Sequence, residues 1–242
     1  MAVEEIRSWI ADSRNIVFFG GAGTSTESQI PDFRSATGLY QTTSRHAFPP
    51  EVMLSRSFFM ERTAEFFDFY RACMVHREAK PNAAHEVLAQ LEQTGKLRAV
   101  VTQNIDGLHQ MAGSQHVLEL HGSVHRNYCM SCGKFFDLNH VTSDETMVPR
   151  CDACGGIVKP DVVLYEESLD WDILSKARKH IAEADVLIVG GTSLTVNPAA
   201  ALVGEYGGDK LVLINQSSTP YDSRATHVIR DSIGKVLKAL VS

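Results

Sequence analysis

Apolar positions along the chain keep to one of two spacings. Val3, Ile6, Trp9 and Ile10 recur at helical intervals, which predicts an amphipathic first helix packed against a sheet. Residues 15–19 then form a short apolar run suited to a buried strand, and similar runs occupy 99–101, 117–120, 161–165, 186–189 and 211–214. Between runs the helical spacing returns. Val87, Leu88 and Leu91 share one face of a helix predicted over 82–94 and stopped at Gly95. A second helix, predicted over 170–184, starts from an Asp170 cap. Strands that alternate with helices predict a mostly parallel sheet joined by right-handed crossovers. One stretch departs from this rhythm. Residues 48–80 gather Phe58, Phe59, Phe66, Phe67, Phe69 and Tyr70 in helix-like clusters, the pattern of a small helical module or helical core.

Polar groups collect where the predicted strands end, and strand carboxyl ends are where open α/β sheets bind ligands. The first strand runs into Gly20-Gly21-Ala22-Gly23-Thr24-Ser25, a turn whose backbone N–H groups can approach a pyrophosphate at the start of the next helix. By itself this turn is ambiguous, because Thr26 stands where a dinucleotide fingerprint has its third glycine and no strand with a ribose-binding acid follows. The cluster Ile30-Pro31-Asp32-Phe33-Arg34 reads either as a ligand loop or as a surface turn. The strand at 99–101 ends at Thr102-Gln103-Asn104-Ile105-Asp106-Gly107, and that at 117–120 ends at His121-Gly122. Among these groups His121 can exchange a proton near neutral pH without special help. Gly190-Gly191-Thr192-Ser193 and Asn215 close two further strands.

Composition narrows the class. A chain of 242 residues with 44% hydrophobic and 21% charged residues holds one large core, or one core and a satellite, and no apolar run reaches membrane-spanning length. The first residues do not resemble a signal peptide, so a cytoplasmic protein is expected. The net charge of −6 argues against general nucleic-acid binding but leaves room for a basic protein or peptide. Cys129, Cys132, Cys151 and Cys154 form two Cys-x-x-Cys pairs eighteen residues apart, each followed by glycine. Two such knuckles share one tetrahedral zinc ion, and four protein ligands leave no open position, so the metal is expected to be structural. Cys73 reads as a small buried residue. The α/β pattern is expected to resume after Lys159.

The stretches GAGTSTESQIPDFR (21–34), TQNIDGLH (102–109), LHG (120–122), GTSLTVNPAA (191–200) and LINQSSTPYD (213–222), together with the four cysteines, stand in one order along the chain. In that order they resemble the motifs of the bacterial-type sirtuins, NAD-dependent protein-lysine deacylases. The resemblance implies an α/β fold with a Rossmann-like sheet domain and a smaller lobe made of a helical insertion and a four-Cys zinc ribbon. It divides the chain into Rossmann-like NAD-binding segments at 1–34, 81–124 and 160–242, a cofactor loop and helical module at 35–80, and a zinc-ribbon module at 125–159. It implies that Ala22, Gly23, Thr26, Arg34, Gly191, Thr192, Ser193 and Asn215 hold NAD. Asp32, Asn104, Ile105 and Asp106 would surround nicotinamide, Gln103 would meet its ribose, and Phe33 would shield that ribose. His121 would be the base that takes a proton from the ribose hydroxyl. Val163, Leu164, Tyr165 and Glu166 would form the strip against which the peptide adds as a strand.

The reaction so implied moves the acetyl group of an acetyl-lysine protein or peptide to ADP-ribose, releasing nicotinamide and free lysine. The alternatives are a mono-ADP-ribosyltransferase, a deacylase for longer apolar acyl chains, and a zinc-ribbon binding module without turnover. A monomer is expected, with no direct nucleic-acid or membrane partner. Some residues depart from the family pattern. Gly20 replaces a frequent Thr, Gln29 a frequent Gly, and Tyr165-Glu166 a frequent Phe-Gly. A Glu at 166 suggests a preference for basic peptides. Family members that favour acidic acyl groups carry Tyr and, three residues on, Arg; here Tyr70 is followed at that spacing by Cys73 and Tyr40 by Thr43, so acetyl or apolar acyl groups are expected.

Overall fold

The computed structural model describes residues 2–33, 35, 38–42, 47–143 and 147–241. Nine strands run in chain order: β1 (Ile16–Gly20), β2 (Leu97–Thr102), β3 (Val117–Glu119), β4 (Gly122–Cys129), β5 (Phe135–Phe136), β6 (Val158–Val162), β7 (Val186–Gly190), β8 (Leu211–Ile214) and β9 (His227–Ile229). The α-helices are α1 (Ala2–Asp12), α2 (Leu39–Thr42), α3 (Pro50–Met53), α4 (Arg56–Glu61), α5 (Thr63–Cys73), α6 (Ala83–Gln93), α7 (Leu108–Met111), α8 (Leu138–Thr142), α9 (Trp171–Ala182) and α10 (Ile233–Val241).

Six strands form one sheet in the order β3-β2-β1-β7-β8-β9, every neighbouring pair parallel. Such a sheet is covered on both faces, which is why its strands are continuous apolar runs rather than alternating ones. In β1, Ile16 and Phe18 face a core shared with α1, α6 and α10, whereas Val17 and Phe19 face a second core that includes α9 and the 3-10 segment Ala199–Glu205. β7 and β8 alternate in the same way. Helix α6 begins on a capping box between Asn82 and His85 and stops at Thr94. Helix α9 starts from Asp170, whose side chain accepts the Ile173 N–H.

The second sheet, β5-β4-β6, is antiparallel. It shares one apolar core with the aromatic helices: Phe59, Phe66, Phe67 and Tyr70 pack with Val124, Phe136, Val158 and Val162. This corrects one expectation. The strand predicted over 161–165 runs over Val158–Val162 and pairs with β4, because its alternate residues Val158 and Val162 are drawn into the small-lobe core. A second correction concerns the glycine-rich turn after β1. No long helix starts there; the chain makes two short 3-10 turns, Ala22–Thr24 and Thr26–Ser28. Cys73, expected to be buried, is half-buried at the end of α5.

Candidate active site

In the parallel sheet the chain departs in opposite directions from β1 and β7, so a crevice opens at their carboxyl ends, the switch point at which such sheets bind ligands. Two glycine turns meet there. The Gly21 N–H donates to the Gly190 carbonyl at 3.2 Å and the Gly23 N–H to the Gly191 carbonyl at 2.8 Å. A Cβ on Gly23 would lie 2.7 Å from Gly191 Cα, and one on Gly191, at φ 60°, would lie 2.3 Å from the Thr24 nitrogen. The turns therefore pack backbone on backbone and keep the floor of the crevice thin. The Thr26 hydroxyl donates to the Gly23 carbonyl at 3.0 Å and closes the turn. Gly20 has a local reason: a Cβ there would meet the Phe18 ring at 2.5 Å.

Gln103 spans the crevice, its side-chain amide donating to Thr192 Oγ1 at 3.1 Å. Asn104 and Asp106 converge on Ser25. The Ser25 hydroxyl donates to Asp106 Oδ2 at 2.6 Å and accepts from Asn104 Nδ2 at 3.0 Å, while Asp106 Oδ1 takes the Leu108 N–H at 2.9 Å. From behind, the Val124 N–H donates to the Ile105 carbonyl at 3.0 Å and His125 Nε2 lies 3.1 Å from the Asp106 carbonyl. Strand β4 thus backs the loop. Ser25 is a participant that reading the turn for its glycines overlooked; its position two residues after the last glycine of the GAG turn was the available signal.

His121 sits between the two sheets. Its Nδ1 lies 2.9 Å from the Gln103 carbonyl, an acceptor, so in the neutral ring Nδ1 carries the proton and Nε2 keeps its lone pair. Burial pushes the imidazole below its ordinary value, and the Gln103 carbonyl opposes that shift. The ring is therefore a free base at neutral pH. The next residue fixes the backbone: Gly122 has φ 76°, and a Cβ on it would meet the Asp161 carbonyl oxygen at 1.9 Å. Arg126 ties the junction, reaching Glu119 at 2.6 Å and Asp161 at 2.8 Å.

The strip at 163–166 leaves β6 beside His121, where the Val163 N–H donates to the His121 carbonyl at 3.0 Å. Further along, the Tyr165 N–H donates to the Leu54 carbonyl and the Arg56 N–H to the Tyr165 carbonyl, both at 3.0 Å. Glu167 takes the Leu164 N–H at 3.0 Å. The Val163 carbonyl has no partner among the described residues. Glu166 adopts φ 75°, and its carboxylate takes the Ser57 N–H at 2.8 Å and the Ser57 hydroxyl at 2.9 Å at the start of α4. Its carboxylate is thus held against the start of α4.

The other predicted residues lie further apart. Asp32 accepts the Ser35 N–H at 2.7 Å within its own loop, and Phe33 packs against the small-lobe core. Ser193 pairs with Thr195 at 2.8 Å, and the Asn215 amide donates to the Ser217 carbonyl at 2.9 Å. Arg34 and Thr43 lie outside the described residues. Away from the crevice, the four cysteine sulfurs lie within 4.8 Å of one another, with Cys129–Cys154 at 3.4 Å and Cys132–Cys151 at 3.7 Å. Tetrahedral zinc with bonds of about 2.3 Å sets its sulfurs about 3.8 Å apart, so the cluster fits that ion. The Ser131 and Ala153 N–H groups donate to Cys129 and Cys151 sulfurs at 3.4 Å.

A model of the Sir2 family matches residues 21–198. The chain is 62% identical to an NAD-dependent protein deacetylase of Clostridium acetobutylicum, over 99% of this chain and 98% of that one. It is 56% identical to a protein of the same name from Cutibacterium acnes, over 99% and 98%. Among solved structures it superposes with a TM-score of 0.89 at 36% identity on a Sir2 protein with a deacetylated p53 peptide and acetyl ADP-ribose, covering 99% of this chain and 97% of that one. A Sir2–p53 peptide–NAD+ complex gives 0.85 at 38% identity, over 98% and 96%.

Proposed function

The chain belongs to the Sir2 family, and from that premise we infer that it is an NAD-dependent protein-lysine deacetylase. It transfers the acetyl group to ADP-ribose and releases nicotinamide and free lysine. NAD is the co-substrate, an acetyl-lysine peptide is the acyl donor, and one structural zinc ion belongs to the four cysteines.

We assign roles to the residues as follows. The backbone of Ala22 and Gly23 and the turn Gly191-Thr192-Ser193 receive the dinucleotide, with Asn215 at its adenosine end and Gln103 at the nicotinamide ribose. Asn104, held by Ser25, and Asp106 offer an amide and a carboxylate to the nicotinamide carboxamide, with Asp32 and Ile105 completing that pocket. Phe33 keeps water from the ribose. His121 Nε2 takes the ribose hydroxyl proton. The unpartnered Val163 carbonyl supports the strip as a place where peptide main chain adds as a strand. In this reading the enzyme is a monomer of the cytoplasm, where thiolates stay reduced for zinc, and it acts on protein without nucleic acid. Among the described residues no helix is long and apolar enough to cross a membrane.

The observation that carries the assignment is the neutral, carbonyl-oriented His121 beside both the Gln103–Asp106 loop and the strip. Mass spectrometry of an acetyl-lysine peptide tests it. Loss of the acetyl group with NAD only, and appearance of acetyl-ADP-ribose, are expected. ADP-ribose on protein with the peptide intact would replace this reading with the transferase one.

A further inference from the structure

Behind the Asp106 loop lies a second hollow. A cavity of about 370 Å³ opens between the end of α5, helix α7, strand β4 and the start of α8. Asp106 divides it from the crevice. The Asp106 carboxylate is turned to Ser25 and the Leu108 N–H, whereas its carbonyl accepts from His125 Nε2 at 3.1 Å, and His125 lines the cavity. Gly107 makes room for that ring: its φ is 73°, and a Cβ on it would lie 2.7 Å from His125 Cδ2. Met74, Leu108, Met111, Val124 and Leu138 give the cavity an apolar wall, and Met111 is 56% exposed there. The charged groups on the lining are unequally satisfied. Asp106 is engaged as above, and Asp137 takes the His140 N–H at 3.1 Å and the Asn139 amide at 3.2 Å. Arg77, exposed at the rim beside His76, has no carboxylate within ion-pair distance among the described residues; its partner there is Asn139 Oδ1. A guanidinium carries five N–H donors in a fork that matches a carboxylate, so most of the Arg77 donors meet no acceptor among the described residues.

We propose that this cavity binds a small organic monocarboxylate, its apolar body against Met74, Met111 and Leu138 and its carboxylate on Arg77. The volume lies at the low end of the range for ligand sites, about 300–1,000 Å³, which suits a single ring or a short chain. Methionine side chains adapt to varied apolar shapes, and burying Met111 under such a body removes it from water. One negative charge matches one guanidinium. A phosphate would bring a second charge toward Asp106 and Asp137, and a cation would find both carboxylates already hydrogen-bonded within the chain. The site uses neither NAD nor acetyl-lysine, so the inference stands apart from the deacetylase reading.

The test follows the methionine methyl NMR signals of the full chain as benzoate is added, with benzyl alcohol as its uncharged match. Met74→Leu and Met111→Leu assign the two signals. Benzoate is expected to shift Met74 and Met111 with a Kd of about 1 mM or tighter. Met53, Met60 and Met130, which do not line the cavity, are expected to stay in place. Benzyl alcohol is expected to bind at least about tenfold more weakly, and Arg77→Gln to weaken benzoate by a similar factor, the worth of a hydrogen bond to a charged group. Ala79→Phe places a ring in the cavity from its own wall and is expected to abolish the shifts, while melting temperatures report the fold. Absence of shifts at Met74 and Met111 overturns the site. So does benzoate affinity that equals that of benzyl alcohol, is unchanged in Arg77→Gln, or survives in a folded Ala79→Phe variant. Loss of the shifts when NAD is added in excess would place benzoate in the crevice and overturn the site as well.

Discussion

At the residue scale, chemistry is set by which groups are denied water. His121 is neutral because burial disfavours its charged form more than the Gln103 carbonyl favours it. Its base form therefore persists below the ordinary histidine value of about 6.5. In a pH profile of kcat/KM the acid limb is expected to lie below that value, with rate rising as pH increases through it. His121→Ala is expected to lower deacetylation at least about 100-fold while the protein still melts cooperatively; a variant that keeps its rate would show that another group is the base. The opposite case is Tyr70, whose hydroxyl is fully buried among Phe66 and Phe67 with no hydrogen-bond partner among the described residues. Tyr70→Phe removes an unsatisfied polar group and is expected to stabilise by about 1 kcal/mol in urea titrations. Gln29 and Glu166 show a related economy. Both adopt left-handed φ, 65° and 75°, where glycine is the low-strain residue and where the family often has it. At Glu166 the two hydrogen bonds to Ser57 offset that strain.

At the scale of elements, the loop carrying Asn104 and Asp106 depends on how α6 meets α7. His85 of α6 and His109 of α7 are both fully buried, their rings T-shaped at 4.7 Å, and both His109 nitrogens lack partners among the described residues. Burial pushes His85 down to about 4, with Asp106 and Glu27 opposing, and His109 down to about 3, with His85 adding to the shift. The unfolded chain binds protons at these histidines near pH 6.5, whereas the folded chain does not until the pH is far lower. Protonation therefore favours unfolding, and stability falls as pH drops from about 6.5 toward 4, by up to about 1.4 kcal/mol per pH unit for each ring. Calorimetric melting between pH 7.5 and 5 is expected to show this decline, and His109→Leu to make it shallower. An equal slope in the variant would place the acid sensitivity elsewhere. The junction of β3 and β4 is the other critical connection. Gly122→Ala forces a methyl into the Asp161 carbonyl. It is expected to cost at least about 2 kcal/mol and to displace both His121 and the strip, detectable as loss of peptide binding together with a lower denaturant midpoint.

At the scale of the molecule, the parallel-sheet body and the small lobe meet at one crevice, and metal chemistry holds the small lobe. The cysteine knuckles fix the Cys129 end of β4 and the approach to β6, and β6 feeds the strip. Chelation of zinc is expected to lower the melting temperature and to abolish activity through the small lobe, because the sulfurs lose their shared ion far from His121. Unchanged melting and turnover after metal removal, verified by elemental analysis, would reject a structural ion. The sequence alone determined the parallel sheet, since strands buried on both faces must be continuous apolar runs, and it determined the zinc cluster, since two knuckles of fixed spacing satisfy one ion wherever the lobe sits. Polar residues at strand exits also pointed to His121 and Asn104–Asp106, which the structure brings to the crevice. Helix α10 is legible too, in Ile233, Val236, Leu237 and Leu240 at helical spacing. Tertiary structure alone decided that β6 joins the small sheet, that Ser25 binds Asn104 and Asp106, that Glu166 turns to Ser57, and that Tyr165 meets Tyr40. Local spacing records which residues can face one way along an element. Contacts between segments 79 to 125 residues apart depend on how whole layers pack, and the chain has no local signal for them.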